Sequence, residues 1–128
     1  MLIHVDTKKT IAQLMEAVPA ACAAHKFGVL GTLDLRATLK EKGQEYARAV
    51  AVFEVCNPVH AKVALEADPS VSVMLPCRIS AYEMPDGHMR IATARPTAMI
   101  GVMGNATLNR VAREVEQALD AILHDAAR

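Results

Sequence analysis

Aromatic side chains are scarce in this chain. Only 3% of its 128 residues are Phe, Tyr or Trp, and Trp is absent. The hydrophobic fraction is nevertheless 52%, which excludes a disordered chain. The core must therefore be built from Ala, Val, Leu, Ile and Met. The same scarcity leaves too few rings for the stacking surfaces on which nucleic acids are held.

An excess of charge of either sign is also missing. The chain has 14 Lys and Arg residues against 14 Asp and Glu residues, so its formal net charge is zero. A neutral chain exerts no overall attraction on nucleic acid or on an anionic membrane. We therefore expect neither of these as a partner.

Long hydrophobic runs are absent as well, since no segment approaches the ~18 apolar residues of a membrane span. The opening MLIHVDTKKT has neither the charged start nor the apolar stretch of a signal peptide. These features predict a cytoplasmic protein, in which thiols stay reduced. Three cysteines are too few for a disulfide scaffold. The length is that of one domain, which we expect over residues 1–128.

The first half of the chain alternates strand and helix patterns. LIHVD and VLGTLDL are typical of strands, and RATLKEKG is typical of a short helix. Between the two strands lies an apolar helical pattern that starts at a capping box of Thr10 and Gln13. Pro19 inside this pattern predicts a kink or a break. Gly28 is the predicted end of the helix.

The second half predicts a long strand, YARAVAVFEVC, and a helix that Asn57 caps with Pro58 in its first turn. CRISAYEM and HMRIATA, joined by PDG, predict a hairpin. TAMIGVMG is interpreted as an apolar connection, and Asn105 as the cap of a last helix with one apolar stripe. The order β-α-β-(α)-β-α-β-β-α predicts an α+β fold, with an antiparallel or mixed sheet and helices packed on it.

Two cysteines lie at predicted strand ends, and the first is Cys56. It precedes the helix cap Asn57, where amide N–H groups and the helix dipole favour an anion, so a reactive thiolate is one interpretation. The other is a small apolar residue at the end of a core strand. Cys22 lies on an apolar helix face and is assigned to the core.

Cys77 begins a strand after Pro76. If the strand that ends at Cys56 pairs with it in antiparallel register, the two thiols face each other, and Glu54 and Arg78 become cross-strand partners. Two neighbouring thiols can form a reversible disulfide, chelate a soft metal or line a ligand pocket.

His60 makes a metal cluster with Cys56 and Cys77 conceivable, but two isolated cysteines are a weak metal signal, and no metal site is assigned. The seven methionines are expected to fill gaps in a core that lacks rings. The Met99–Met103 connection is alternatively a dimer surface. No hydrolase, phosphate-loop or dinucleotide motif is present, so enzyme activity and cofactors are left open.

The stretch FEVCNPVHAKVALEADPSVSVMLPCRISAYEMPDG resembles the signature of the domain of unknown function 302 family. The matching residues are Cys56, Asn57, Pro58, Ala61, Leu65, Asp68, Pro69, Leu75, Pro76, Cys77, Arg78, Tyr82 and Glu83. The upstream HKFGVLGTLDLRATLKEKG is similar to that family too, whereas Pro19 departs from its pattern. The resemblance implies a compact β-α-β4-α fold like that of the TATA-box-binding protein, usually seen as a homodimer. The biochemical role of the family is not established, so the resemblance assigns no catalytic residue.

We therefore predict a homodimeric module that binds a small molecule near the Cys-Asn-Pro and Leu-Pro-Cys-Arg segments. Its predicted ligand-binding residues are Cys56, Asn57, Pro58, Pro76, Cys77 and Arg78. Asn57, Pro58 and the helix N-terminus would form a rim that tolerates an anion, and Arg78 would add a cation. The alternatives are a thiol-based redox or metal-binding protein using Cys56 and Cys77, and a protein–protein interaction domain whose cysteines are purely structural.

Overall fold

The computed structural model describes all 128 residues, Met1–Arg128. Its strands are β1 (Leu2–Thr7), β2 (Gly28–Asp34), β3 (Val50–Cys56), β4 (Cys77–Glu83) and β5 (Met89–Ala94). Its helices are α1 (Ile11–Ala24), α2 (Leu35–Glu41), α3 (Pro58–Ala67), α4 (Pro96–Ile100) and α5 (Ala106–Ala127). Two 3₁₀ turns cover Pro69–Met74 and Gly101–Met103. The strands form one antiparallel sheet in the order β1-β5-β4-β3-β2, which confirms the predicted α+β class.

One face of the sheet carries the core. Side chains alternate along a strand, so every second residue of β3 and β4 points to the same side. The inward residues Phe53, Val55, Ile79 and Ala81 are fully buried. Because Phe53 is one of only two phenylalanines, most of the core is aliphatic, as the composition predicts.

The long helix α5 packs along this core and contacts α1, α3 and α4. Asn105 caps it, since Asn105 Oδ1 accepts the N–H of Leu108 at 3.0 Å. The predicted apolar stripe is buried, and each of its large side chains contributes about 1.5–3 kcal/mol of hydrophobic free energy. That stripe consists of Leu108, Val111, Val115, Leu119, Ile122 and Leu123.

Helix α1 begins at the predicted capping box, with Thr10 and Gln13 each accepting the other's backbone N–H. It then runs uninterrupted through Pro19 to Ala24, so the predicted break is wrong. Proline removes one helical hydrogen bond, but the buried neighbours Val18 and Cys22 hold both sides of the helix against the core.

The predicted end of this helix at Gly28 is also wrong. The chain leaves the helix at Lys26, which has a positive φ of 64°, and Gly28 is the first residue of β2. Hydrogen bonds on both sides of Lys26 stabilise this positive-φ conformation, because the backbone N–H groups of His25 and Phe27 both donate to the Cys22 carbonyl.

Two further boundaries differ from the sequence prediction. The strand predicted to begin at Tyr46 begins at Val50, and the residues before it are exposed and irregular. The segment interpreted as a connection is helical, because Pro96 starts α4 and a 3₁₀ turn follows it. Met103 in that turn packs against the core, and Met89 is buried within it, which confirms the gap-filling role of these methionines.

The opposite face of the sheet is only partly exposed. A row of facing residues crosses all five strands, and no member of the row carries a permanent charge. The row is Leu33, Val52, Ser80, Ala92 and His4.

No helix of the chain combines the length and apolar character required to cross a bilayer.

Candidate functional site

The antiparallel pairing of β3 with β4 brings the two cysteine segments together. Glu54 lies opposite Arg78, as predicted, whereas Cys77 lies opposite Val55 and not opposite Cys56. Because β3 ends where β4 begins, Cys56 and Cys77 lie at the same end of the sheet. The intervening residues 57–76 form α3 and a 3₁₀ turn above this end.

Asn57 fixes the start of α3. Its Oδ1 accepts the N–H groups of Val59 at 3.0 Å and His60 at 3.2 Å, and Pro58 occupies the first turn. These amides are the donors with which a helix N-terminus binds an anion. Since Asn57 already engages them, the start of α3 is closed to an external anion.

A cavity of about 270 Å³ lies between α3 and this end of the sheet. Twelve of its 16 lining residues are hydrophobic. Its inner wall is formed by buried side chains from five different elements or connections, namely Phe27, Val55, Ala64, Ile100, Val111 and Val115. At the mouth, Leu30 is 67% exposed and Leu65 is 40% exposed. The cavity therefore opens to solvent through an apolar rim.

Both motif cysteines line the cavity, and all three cysteines of the chain are free thiols. Burial raises the pKa of the Cys77 thiol to about 11, with a smaller upward contribution from the nearby Cys56 sulfur. The positive charge of Arg78 opposes this shift but does not cancel it. Cys77 is therefore a neutral thiol at physiological pH.

His60 supplies an imidazole to the cavity wall. Its Nε2 lies 3.1 Å from Glu114 Oε2 on α5, and its Nδ1 is buried without a hydrogen-bond partner. Glu114 also lies near Arg110, with 3.8 Å between Oε1 and the guanidinium. The wall is thus apolar apart from this imidazole, two thiols, the Asn57 amide and the Ser72 hydroxyl.

The model of the family described as "Domain of unknown function DUF302" matches residues 3–126. This chain belongs to the DUF302 family. It is similar to an uncharacterized conserved protein DUF302 from Bacillus stearothermophilus, whose crystal structure it matches with a TM-score of 0.92 and 29% sequence identity. That match covers 99% of this chain and 98% of the other. No curated protein matches.

The structure brings together four of the six predicted site residues of this DUF302 chain. Cys56, Asn57, Pro76 and Cys77 line the cavity. Pro58 does not, because it lies exposed in the first turn of α3.

Arg78 does not line the cavity either. Side chains alternate along β4, so a cavity-facing Cys77 sends Arg78 to the opposite face of the sheet, where it is exposed beside Glu54. The side chain of Arg78 is therefore not among those that line the cavity.

Several residues that form the cavity were missed by sequence reasoning. Phe27, Ile100 and Val111 carry no local signal beyond being apolar. In the sequence, Glu114 is not distinguished from the other charged residues on the outer face of its helix. Its contact with His60 joins two residues that are 54 positions apart.

A metal site at Cys56, His60 and Cys77 has no geometric support. No group of three or more His, Cys, Asp or Glu side chains in the chain is arranged to hold a metal ion. A structural zinc site needs four such ligands, and a catalytic one needs three.

We predict that native Cys77 reacts slowly with iodoacetamide at pH 8. A pKa raised from 9.0 to about 11 lowers the thiolate fraction on the order of 100-fold, because each pKa unit is a factor of ten. Mass spectrometry of Cys77 peptides measures the rate, and the urea-unfolded chain is the control. Labelling of native Cys77 at the unfolded rate would show that the thiol is not shielded.

Proposed function

We propose that this DUF302 protein binds a small, uncharged and mainly apolar molecule in the cavity beneath α3. The observation that supports this proposal is the coincidence of two features. The lining of the cavity is mainly apolar, and it contains both cysteines of the family's double motif, Cys56 and Cys77. A space of this kind with a few polar groups is the usual form of a small-molecule site.

The volume sets the size of the ligand. A cavity of 150 Å³ holds benzene, so one of about 270 Å³ accommodates roughly ten non-hydrogen atoms. Sites for drug-sized ligands begin at about 300 Å³. The ligand is therefore larger than benzene and smaller than a nucleotide.

The lining sets the charge of the ligand. No Lys, Arg, Asp or Glu is among the lining residues, and the amides at the start of α3 are engaged by Asn57. Cys77 contributes a neutral thiol. A charged group placed here would lose its hydration without gaining a counterion, at a large free-energy cost. This reasoning replaces the anion-tolerant rim expected from the sequence.

A thiol-based redox function is the second candidate, because the two thiols share one cavity and a charge on Cys56 influences Cys77. Thiol–disulfide exchange requires an attacking thiolate. The raised pKa of Cys77 disfavours that role for Cys77, which places this candidate behind ligand binding.

We further propose that the protein is a homodimer, as the resemblance to the family implies, with the partly exposed face of the sheet as its interface. The centre of that face is uncharged at Val52, Ser80 and Ala92. Its flanks each pair an acid with a base, Glu54 with Arg78 on one side and Asp6 with Arg90 on the other. Because each flank carries both signs, a copy related by a two-fold axis can place acids against bases.

Filling the cavity tests the binding proposal. We predict that Ala61→Phe, which adds a ring at the cavity wall, weakens the binding of indene at least about tenfold, or about 1.4 kcal/mol. Indene is an uncharged hydrocarbon of suitable size, and an NMR titration of the labelled protein gives its Kd. The extra ring occupies the volume that the probe needs.

The control for this variant is Ala23→Phe, at an exposed position of α1 outside the cavity, which should bind indene like the unaltered chain. The proposal fails if the unaltered protein shows no saturable shifts at cavity residues. It also fails if folded Ala61→Phe binds indene with undiminished affinity.

Disrupting the partly exposed sheet face tests the dimer. We predict that Val52→Lys halves the mass measured by light scattering, because two like charges would face each other across the two-fold axis. Val73→Lys, at a side chain that is 84% exposed and distant from this face, should leave the mass unchanged. A monomeric mass for the unaltered protein at about 100 μM would contradict the dimer proposal.

A further inference from the structure

We infer that Leu30 is the specificity-determining residue of the cavity. A bulge in β2 holds its side chain at the mouth, where it contacts the bound molecule and sets the largest ligand that the cavity admits. This inference rests on the proposed function and narrows its ligand class to compact apolar molecules of about the size of indene. Larger apolar molecules are excluded at the mouth.

The first step is the bulge. Val29 pairs with Val55, and Gly31 pairs with the next residue of β3, Glu54, so the ladder between the two strands skips Leu30. An extra residue of this kind is left without a cross-strand partner, and the local bend re-aims its side chain. Because β2 is an edge strand of the sheet, no strand lies on its other side. The position of Leu30 is therefore set by the bulge and not by strand pairing.

The second step is the direction in which the bulge aims Leu30. In a regular ladder Leu30 would lie opposite Glu54, and alternation would send its side chain to the partly exposed face of the sheet, away from the cavity. With the bulge, Gly31 takes that place, and a Cβ on Gly31 would lie only 3.3 Å from Glu54 Oε1. The Glu54 side chain thus occupies the space over Gly31, and Leu30 joins the lining of the cavity.

The third step is the apolar surface that Leu30 leaves free. At 67% exposure it is the most exposed of the twelve hydrophobic lining residues. Val55 and Val111 on the inner wall are already buried in the core. A ligand at the mouth covers part of the Leu30 side chain, and each methylene group removed from water is a factor of about four in a binding constant. Leu30 therefore gains its apolar contacts when the cavity is occupied.

The fourth step is the size limit. The inner wall consists of close-packed core side chains, which do not yield to a larger ligand without strain. A volume of about 270 Å³ accommodates roughly ten non-hydrogen atoms, which is the size of indene. Any further ring has to extend through the mouth, where the Leu30 side chain lies. A larger ligand must displace that side chain, and an indene-sized ligand does not.

Two hydrocarbons test this limit. Fluorene is indene with one more fused ring, and its greater apolar area would give it the tighter binding in an unrestricted site. We expect the unaltered protein to bind fluorene at least about tenfold more weakly than indene. Fluorene emission gives its Kd when protein is added to a dilute solution, since the chain contains no Trp. An NMR titration gives the Kd of indene.

The variant Leu30→Ala assigns the effect to this side chain. It removes an apolar contact and widens the mouth, so the Kd of indene should rise about fourfold and that of fluorene should fall about tenfold. A general loss of structure would instead weaken both. The matched control is Leu2→Ala, at a 55% exposed leucine of the opposite edge strand β1, outside the cavity. It should leave both values unchanged.

Each failure has its own meaning. If the unaltered protein binds indene, but Leu30→Ala shifts both probes in the same direction or neither, this inference is overturned and the apolar binding function stands. Fluorene binding to the unaltered protein as tightly as indene has the same consequence. If neither hydrocarbon binds the unaltered protein, both the inference and the proposed function are overturned.

Discussion

The register between β3 and β4 is the constraint on which the candidate site depends. With Val55 opposite Cys77, the inward sides of both strands face the core, and both motif cysteines come to one end of the sheet. A slip of one residue would turn Cys77, Ile79 and Ala81 to the opposite face and expose the core. The buried Phe53 and Ile79, directly opposite each other, oppose that slip. The location of the cavity thus follows from the same apolar packing that stabilises the fold.

The cavity itself follows from the small side chains of α3. Ala61 and Ala64 face the sheet where larger residues would fill the space, and the scarcity of aromatic rings leaves few alternatives. An apolar void lowers stability in proportion to its volume, because its lining loses packing contacts. A ligand would recover those contacts, which gives the cavity a physical reason to be occupied. Under the proposed function, the polar groups at its wall would select among such ligands.

Local signals predicted much of this structure, and long-range packing explains what they missed. The Asn57 cap, the hairpin and the apolar stripe of α5 depend on residues close in sequence, and each was predicted correctly. The outward direction of Arg78 was also available, since alternation from an inward Cys77 requires it. The contact of His60 with Glu114 was not available, because it depends on how α5 packs beside α3. The positive φ of Lys26 is likewise outside local prediction, since the sequence pattern placed the end of this helix at Gly28.

The central claim is that the space beneath α3 is an accessible apolar cavity, and xenon under pressure tests it most directly in a crystal of the protein. Xenon enters dry apolar cavities and has no affinity for polar, water-filled ones. The account predicts one strong xenon site in contact with Val55, Ala64 and Val111. A chain of ordered waters in that space, or a closed wall without xenon, would contradict it.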